Sequence, residues 1–146
     1  MGDQKGERIK VIFRSLQIHD SKDLDGEGEF VFTARVKVRK DGSEEVHETR
    51  LPPDEKEHYS IMENQAWNRL TLDVTLFEGE VGDHMEVEIL GEELDLLKSN
   101  DKLERYHRVF SGSPAEWIGH YRPGDEGSSD PERMADWWVF LEVASA

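Results

Sequence analysis

Residues 29–42 read EFVFTARVKVRKDG, and this stretch decides the fold class. Apolar residues occupy every second position from Phe30 to Val38, and polar or basic residues alternate with most of them. Because successive side chains of a β-strand point to opposite faces, this pattern predicts an antiparallel strand with one buried face. Asp41-Gly42 follows and is typical of a tight hairpin turn, so a second strand is expected to return beside the first.

Other short segments outside this hairpin have the same extended character. They are residues 8–19 (with an irregularity near Ser15), 44–50, 58–62, 68–77, 84–90, 105–110, 116–121 and 136–143. Turn-forming residues separate them, with a turn at 78–82 and a loop at 122–133, where residues 131–134 allow one helical turn. The sequence therefore predicts an all-β protein, an antiparallel β-sandwich of about eight strands. We expect a single domain over residues 1–146, with residues 1–7 as a loose terminus.

The composition restricts the possible functions. The chain has 33 acidic and 18 basic residues, a net charge of -15 and no cysteine. Nucleic-acid binding is disfavoured, because phosphate contacts need a basic face. Disulfides and thiolate metal sites are excluded, and we find neither a signal peptide nor an apolar stretch of ~20 residues. We expect a cytoplasmic protein that can associate peripherally with a membrane.

No catalytic motif is found in the sequence. The chain lacks the nucleophile elbow of hydrolases. Paired carboxylates can hydrolyse glycosidic bonds, but the acidic residues here lie in loops without long cleft-forming insertions. The six histidines are scattered, with no pair at helical spacing and no zinc motif. We therefore predict that the protein is not an enzyme.

Two loops concentrate the acidic residues. The first spans residues 20–29, and the second spans residues 91–104, which read GEELDLLKSNDKLE. Crowded carboxylates repel one another, so they are expected to bind protons or a cation. Calcium takes ~6–8 oxygen ligands, mostly carboxylates and carbonyls. We predict that the two loops meet in space and share a hard cation. An EF-hand is excluded, because its last ligand position would fall on Phe32, within a strand.

Four segments resemble those of a known family and occur in that family's order. They are DLDGEGEFV at 23–31, NQAWN at 64–68, ELDLLKSNDKL at 93–103 and DWWVFLEV at 136–143. They are similar to the first calcium loop, the start of a central strand, the third calcium loop and the closing strand of the C2 domain. That family comprises the calcium-dependent phospholipid-binding sandwiches of synaptotagmins and protein kinase C.

The resemblance implies a set of calcium ligands in the two loops. The main ligands it implies are Asp23, Glu29, Glu93, Asp95 and Asp101, and the additional candidates are Asp20, Asp25 and Asn100. It also implies that Leu96, Leu97 and Lys98 form the tip of the second loop, where they would contact a membrane or a partner. Full immersion of two leucines in lipid contributes roughly 3–6 kcal/mol. The implied function is a calcium-binding module that docks to an anionic membrane surface or a protein partner through its acidic loops.

Other interpretations are compatible with the same residues. Two implied ligand positions hold glutamate where the family has aspartate, which suits a metal-free structural or protein-interaction domain. A binder of carbohydrate or another small ligand through bridging calcium is a third function. The leucines of the second loop can also fold back onto the core.

A basic stripe on the strand at residues 29–38 has two interpretations as well. Its members are Arg35, Lys37, Arg39 and Lys40. The resemblance implies a phosphoinositide site, whereas the predicted hairpin favours ion pairs with Glu44, Glu45 or Glu48 on the neighbouring strand.

Overall fold

The computed structural model describes residues 7–19, 27–62, 68–94, 101–124 and 130–146. These residues form two antiparallel β-sheets that pack face to face. The strands are β1 (Glu7–Ile18), β2 (Glu27–Lys40), β3 (Ser43–Leu51), β4 (Tyr59–Met62), β5 (Arg69–Val81), β6 (His84–Glu93), β7 (Asp101–Lys102), β8 (Tyr106–Ser111), β9 (Gly119–Tyr121) and β10 (Trp137–Ser145). The predicted all-β sandwich is therefore confirmed.

The two sheets differ in size and strand order. The four-stranded sheet has the order β5-β1-β10-β9. The six-stranded sheet has the path β3-β2-β6-β7, with β4 also paired to β2 and β8 also paired to β6. The long strand β2 thus pairs with β3 and β4 on one side and with β6 on the other, and the antiparallel strand that its alternation predicted is confirmed.

The buried face of each central strand follows the sequence pattern. On β2 the alternating apolar residues from Phe30 to Val38 are all buried, and on β10 the same holds for the alternating residues from Trp137 to Val143. The rings of Phe32 and Trp137 stack with centroids 5.3 Å apart, which joins the two sheets at the core. The turn prediction is also confirmed, because Asp41 and Gly42 have φ values of 52° and 78°, as a type I′ hairpin requires.

Several details differ from the predictions. The turn predicted at residues 78–82 is wrong, because β5 continues to Val81, which pairs with Glu7 of β1. The extended segment predicted at 116–121 begins instead with a short 3-10 helix, Pro114–Trp117, and only then enters β9. The helical turn allowed at 131–134 is replaced by a non-helical turn with an isolated bridge between Arg133 and Trp138. The irregularity predicted near Ser15 is confirmed by a register shift between Phe13 and Ser15.

Strand registers define one end of the sandwich, which we call the loop pole. In the four-stranded sheet, Ile18 pairs with Trp137 at this end. In the six-stranded sheet, Phe30 pairs with Glu93, and Glu93 pairs with Asp101. The indole of Trp137 donates a hydrogen bond of 2.8 Å to the Glu104 carbonyl, so both sheets meet at this pole. The strand ends that flank the two acidic loops therefore lie at the same end of the molecule.

Candidate functional site

The strands β2 and β6 position the predicted ligands that the structure describes. Glu29 stands beside the Phe30–Glu93 pair, and its carbonyl accepts a hydrogen bond of 2.7 Å from the Leu94 amide. Asp101 opens β7 directly opposite Glu93. The register thus brings the backbones of three predicted ligands together from parts of the chain about seventy residues apart. This agrees with the prediction that segments distant in the sequence meet at one pole.

The side chains of Glu29 and Glu93 occupy opposite faces of the larger sheet. Glu93 shares the inner face with its partner Phe30 and is only 4% exposed. A Cβ added at Gly28 would lie 2.2 Å from Oε2 of Glu93 and 2.5 Å from the Phe30 ring, so a larger residue there would have to displace these side chains. Glu29 is exposed, and its Oε1 lies 3.6 Å from Nε2 of His58. Of these two carboxylates, only that of Glu93 is enclosed by the fold.

The other predicted contact residues lie outside the described residues. These are Asp20, Asp23, Asp25, Asp95 and Asn100 among the ligands, and Leu96, Leu97 and Lys98 at the tip. Within the described residues, no three acidic or histidine side chains are grouped so that they could hold a metal ion. The donors that are described carry carboxylate oxygens, which is the chemistry that a hard cation prefers. The ligand set therefore stays a prediction.

A buried ionic network lies next to this pole, and the sequence reasoning missed it. Glu132 is 1% exposed, and its carboxylate accepts hydrogen bonds of 2.6 and 2.8 Å from Nε and Nη2 of Arg108. The hydroxyl of Tyr106 donates to the same carboxylate at 2.7 Å. Burial, reinforced by the charge and hydrogen bond of Glu132, raises the pKa of Tyr106 well above its ordinary value. A Tyr-x-Arg pair on one face of a predicted strand is a signal that could have suggested a buried acid.

The network ties the segment before β10 to the larger sheet. Within this segment, the Arg133 amide donates a hydrogen bond to the Asp130 carbonyl, and the Val139 amide of β10 donates one to the Glu132 carbonyl. On the other side, Oε1 of Glu104 accepts from the Ala135 amide at 3.1 Å. Glu104 lies just after β7 and also accepts from the Trp137 indole, so the second acidic loop ends at a residue that is hydrogen-bonded to β10 and to the segment before it.

His19 directly follows β1, on the side of the first acidic loop. Its ring packs on Trp138 with centroids 4.3 Å apart, and its Nε2 is buried without a hydrogen bond to any residue that the structure describes. Burial lowers the pKa of His19 below its ordinary value. The folded state therefore favours the neutral ring.

We expect His19 to make folding less favourable in mild acid. Because its pKa is lower in the folded state, the unfolded chain binds the proton more readily, and the free energy of unfolding falls as the pH drops below about 6.5 and towards the folded pKa. Urea unfolding at about pH 7.5 and about pH 5.5 should show a smaller pH-dependent loss for His19→Phe than for the parent. The exposed His120→Phe serves as the matched control. An equal loss in the parent and in His19→Phe would contradict the assignment.

The basic stripe of β2 is neutralised across the sheet. Arg35 lies 2.7 Å from Glu48 and 3.3 Å from Glu88, and Lys37 lies 4.0 Å from Glu44. Further pairs join Arg39 to Asp83, Lys40 to Glu80, Lys37 to Glu86 and Arg105 to Glu88. The predicted pairing across the hairpin is therefore confirmed for Glu44 and Glu48, whereas Glu45 contacts His47 instead. The depression on this face, about 280 Å³, is lined by both charges and is not a basic site.

Comparisons with known proteins agree with this architecture. Neither the known protein families nor the curated proteins give a match. Among solved structures, the chain is similar to a C2 domain of plant extended synaptotagmin 1, with 11% sequence identity and a TM-score of 0.51. The similarity covers 96% of this chain and 94% of that domain. No helix among the described residues has the length and apolar character needed to cross a membrane. The chain therefore has the fold of the C2 domains, a two-sheet β-sandwich with its acidic loops flanked by strand ends at a single pole.

Proposed function

We propose that this protein is a calcium-binding module that docks to an anionic membrane surface or a protein partner through its two acidic loops. The observation that carries the proposal is the register that pairs Phe30 with Glu93 and Glu93 with Asp101. It brings the start of β2, which follows the first acidic loop, next to the ends of β6 and β7, which flank the second loop, within one sheet. Similarity to the extended synaptotagmin domain supports the fold in which such loops occur.

The charge of the loops supports a cation as the ligand. Residues 20–29 and 91–104 carry several carboxylates each in a chain with a net charge of -15. Calcium bound there would offset this local charge and attract anionic headgroups. Asp23, Asp95 and Asp101 would supply the principal oxygens, and the enclosed carboxylate of Glu93 would close the inner side. Leu96 and Leu97 would then enter the membrane or contact the partner.

Calcium titration tests the metal claim directly. We expect isothermal calorimetry to show saturable heat for the parent and a loss of affinity of about tenfold or more for Asp95→Asn and Asp101→Asn, because each removes a charged ligand. Asp41→Asn is the matched control, since it removes one charge in the hairpin at the opposite end and asparagine tolerates its positive φ. Calcium at about a hundred times its dissociation constant should add about 2.7 kcal/mol of stability.

The outcomes separate the proposed function from its alternative. Absence of heat, with a melting temperature that calcium and chelator leave unchanged, would contradict the proposal and leave a metal-free interaction domain. If calcium binds, co-sedimentation with phosphatidylserine-containing vesicles in calcium, but not in chelator, would identify the membrane as the docking surface. Calcium binding without sedimentation would direct the search to a protein partner.

A further inference from the structure

The outer face of the four-stranded sheet carries a small basic depression that the proposed function does not use. Its volume is about 150 Å³, and it is lined by Arg14, Ser15, Arg69, His120, Tyr121, Arg122, Phe140 and Leu141. Three arginines and a histidine converge there in a chain with a net charge of -15. The depression is smaller than the ~300–1,000 Å³ of drug-sized ligand pockets, so it suits a single chemical group.

Two contacts orient the Arg69 side chain in this depression. Its guanidinium lies over the ring of Phe140, with Cζ 4.1 Å from the centroid, and its Nη2 donates a hydrogen bond of 3.1 Å to Oγ of Ser15. Ser15 is only 4% exposed and sits where the register of β1 shifts. The stacked ring and the buried hydroxyl orient the guanidinium, and no described residue other than Ser15 accepts a hydrogen bond from it.

The environment of Arg69 differs from that of its neighbour Arg14. Arg14 donates through Nε and Nη2 to Glu142 at 2.7 and 2.5 Å, and through Nη1 to Asp73 at 3.0 Å. No carboxylate in the described part of the chain lies within salt-bridge distance of Arg69. Since Arg14 and the part-buried Arg108 are both matched to acids, a preorganised guanidinium without one is a site for an external anion.

We propose that this depression, built from Arg69, Ser15, Phe140 and His120, binds a phosphate monoester group. One carboxylate is satisfied by a single guanidinium fork, whereas a dianionic phosphate has three terminal oxygens for donors from separate strands. Here the donors come from Arg69 at the start of β5 and from His120 of β9, an exposed ring whose Nε2 lies 3.8 Å from Oε2 of Glu142. The site lies on the outer face of the smaller sheet and contains none of the predicted calcium ligands.

Titration with inorganic phosphate in the presence of chelator tests the proposal independently of calcium. We expect saturable shifts of the amide resonances of Ser15, Arg69 and His120 in NMR spectra of the isotopically labelled protein. Arg69→Gln should weaken the affinity at least about tenfold, because it removes a charge-assisted donor. The control Arg35→Gln, on the outer face of the other sheet, should leave it unchanged because Arg35 is already paired with Glu48 and Glu88. Acetate should give no saturable shift at these residues.

Two further arms identify the source of the phosphate group. Glycerol 3-phosphate represents a soluble monoester, and phosphatidylcholine vesicles containing phosphatidic acid represent a lipid one. Binding of either that Arg69→Gln abolishes and Arg35→Gln preserves supports the site and names its source. Absence of saturable phosphate shifts, an equal response to acetate, or unchanged binding in a folded Arg69→Gln variant would overturn it. Phe140→Leu provides a second variant, expected to weaken binding through loss of the stacked ring.

Discussion

Replacement of Glu132 by alanine is expected to lower the free energy of unfolding by about 3–5 kcal/mol. The carboxylate is 1% exposed and is the shared acceptor for Arg108 and Tyr106. Its removal leaves the Arg108 guanidinium, whose side chain is 12% exposed, with its ion-pair partner lost in a low-dielectric site. Removing one partner of a buried ion pair lowers the free energy of unfolding by more than the intact pair contributes to it, because the remaining charge stays desolvated.

Chemical denaturation of matched variants checks this result. Glu48→Ala removes an acid from an exposed ion pair with Arg35 and should cost at most about 1 kcal/mol. The double variant Arg108→Met with Glu132→Leu removes both charges and should regain much of the loss. A cost for Glu132→Ala as small as that for Glu48→Ala would show that the network does not stabilise the fold.

Replacement of Trp137 by alanine is expected to cost about 3–5 kcal/mol through the cavity it leaves. Trp137 is fully buried, stacks on Phe32 across the two sheets and donates to the Glu104 carbonyl. The substitution therefore removes apolar contacts, an aromatic pair and a hydrogen bond that joins the sheets at the loop pole.

The neighbouring tryptophan supplies the control for this prediction. Trp138 is half-buried on the outer face of the same strand, so Trp138→Ala should cost clearly less in urea unfolding. Trp137→Phe keeps a ring against Phe32 but loses the donor, and should fall between the two. Equal costs for Trp137→Ala and Trp138→Ala would contradict the central position assigned to Trp137.

Periodicity in the sequence was sufficient to predict the inner faces of the sheets. Every alternate apolar residue from Phe30 to Val38 is buried, because a strand in a sandwich has only two faces, and the apolar side chains are more stable on the face that packs against the core than on the face that contacts water. Asp41-Gly42 predicted its turn for a local reason, since both residues adopt positive φ. Such features depend on a few adjacent residues, which is why one sequence reveals them.

Features that depend on distant partners were not predictable in the same way. The two glycines within residues 78–82 suggested a turn there, but pairing of Ile9 with Gly79 and of Glu7 with Val81 keeps β5 extended to Val81. Glu132 reads as a surface acid in a polar loop, and only Tyr106 and Arg108, 26 and 24 positions away, make its burial favourable.

The candidate site contains one feature that the sequence analysis predicted and one that it did not. Spacing predicted that two acidic segments would approach each other, and the register of Phe30 with Glu93 agrees. The spacing of the acids alone did not predict that Glu29 and Glu93 would face opposite sides of the sheet, which follows only when the alternation of buried residues in β2 and β6 is continued to these two positions.

The pairing of β1 with β10 also bears on how the chain reaches this structure. Arg14 and Glu142, which bond across these strands, are 128 positions apart. Closing so long a loop loses chain entropy before the contacts that reward it have formed. Folding is therefore expected on the millisecond-to-second scale typical of all-β topologies, with the smaller sheet completed late.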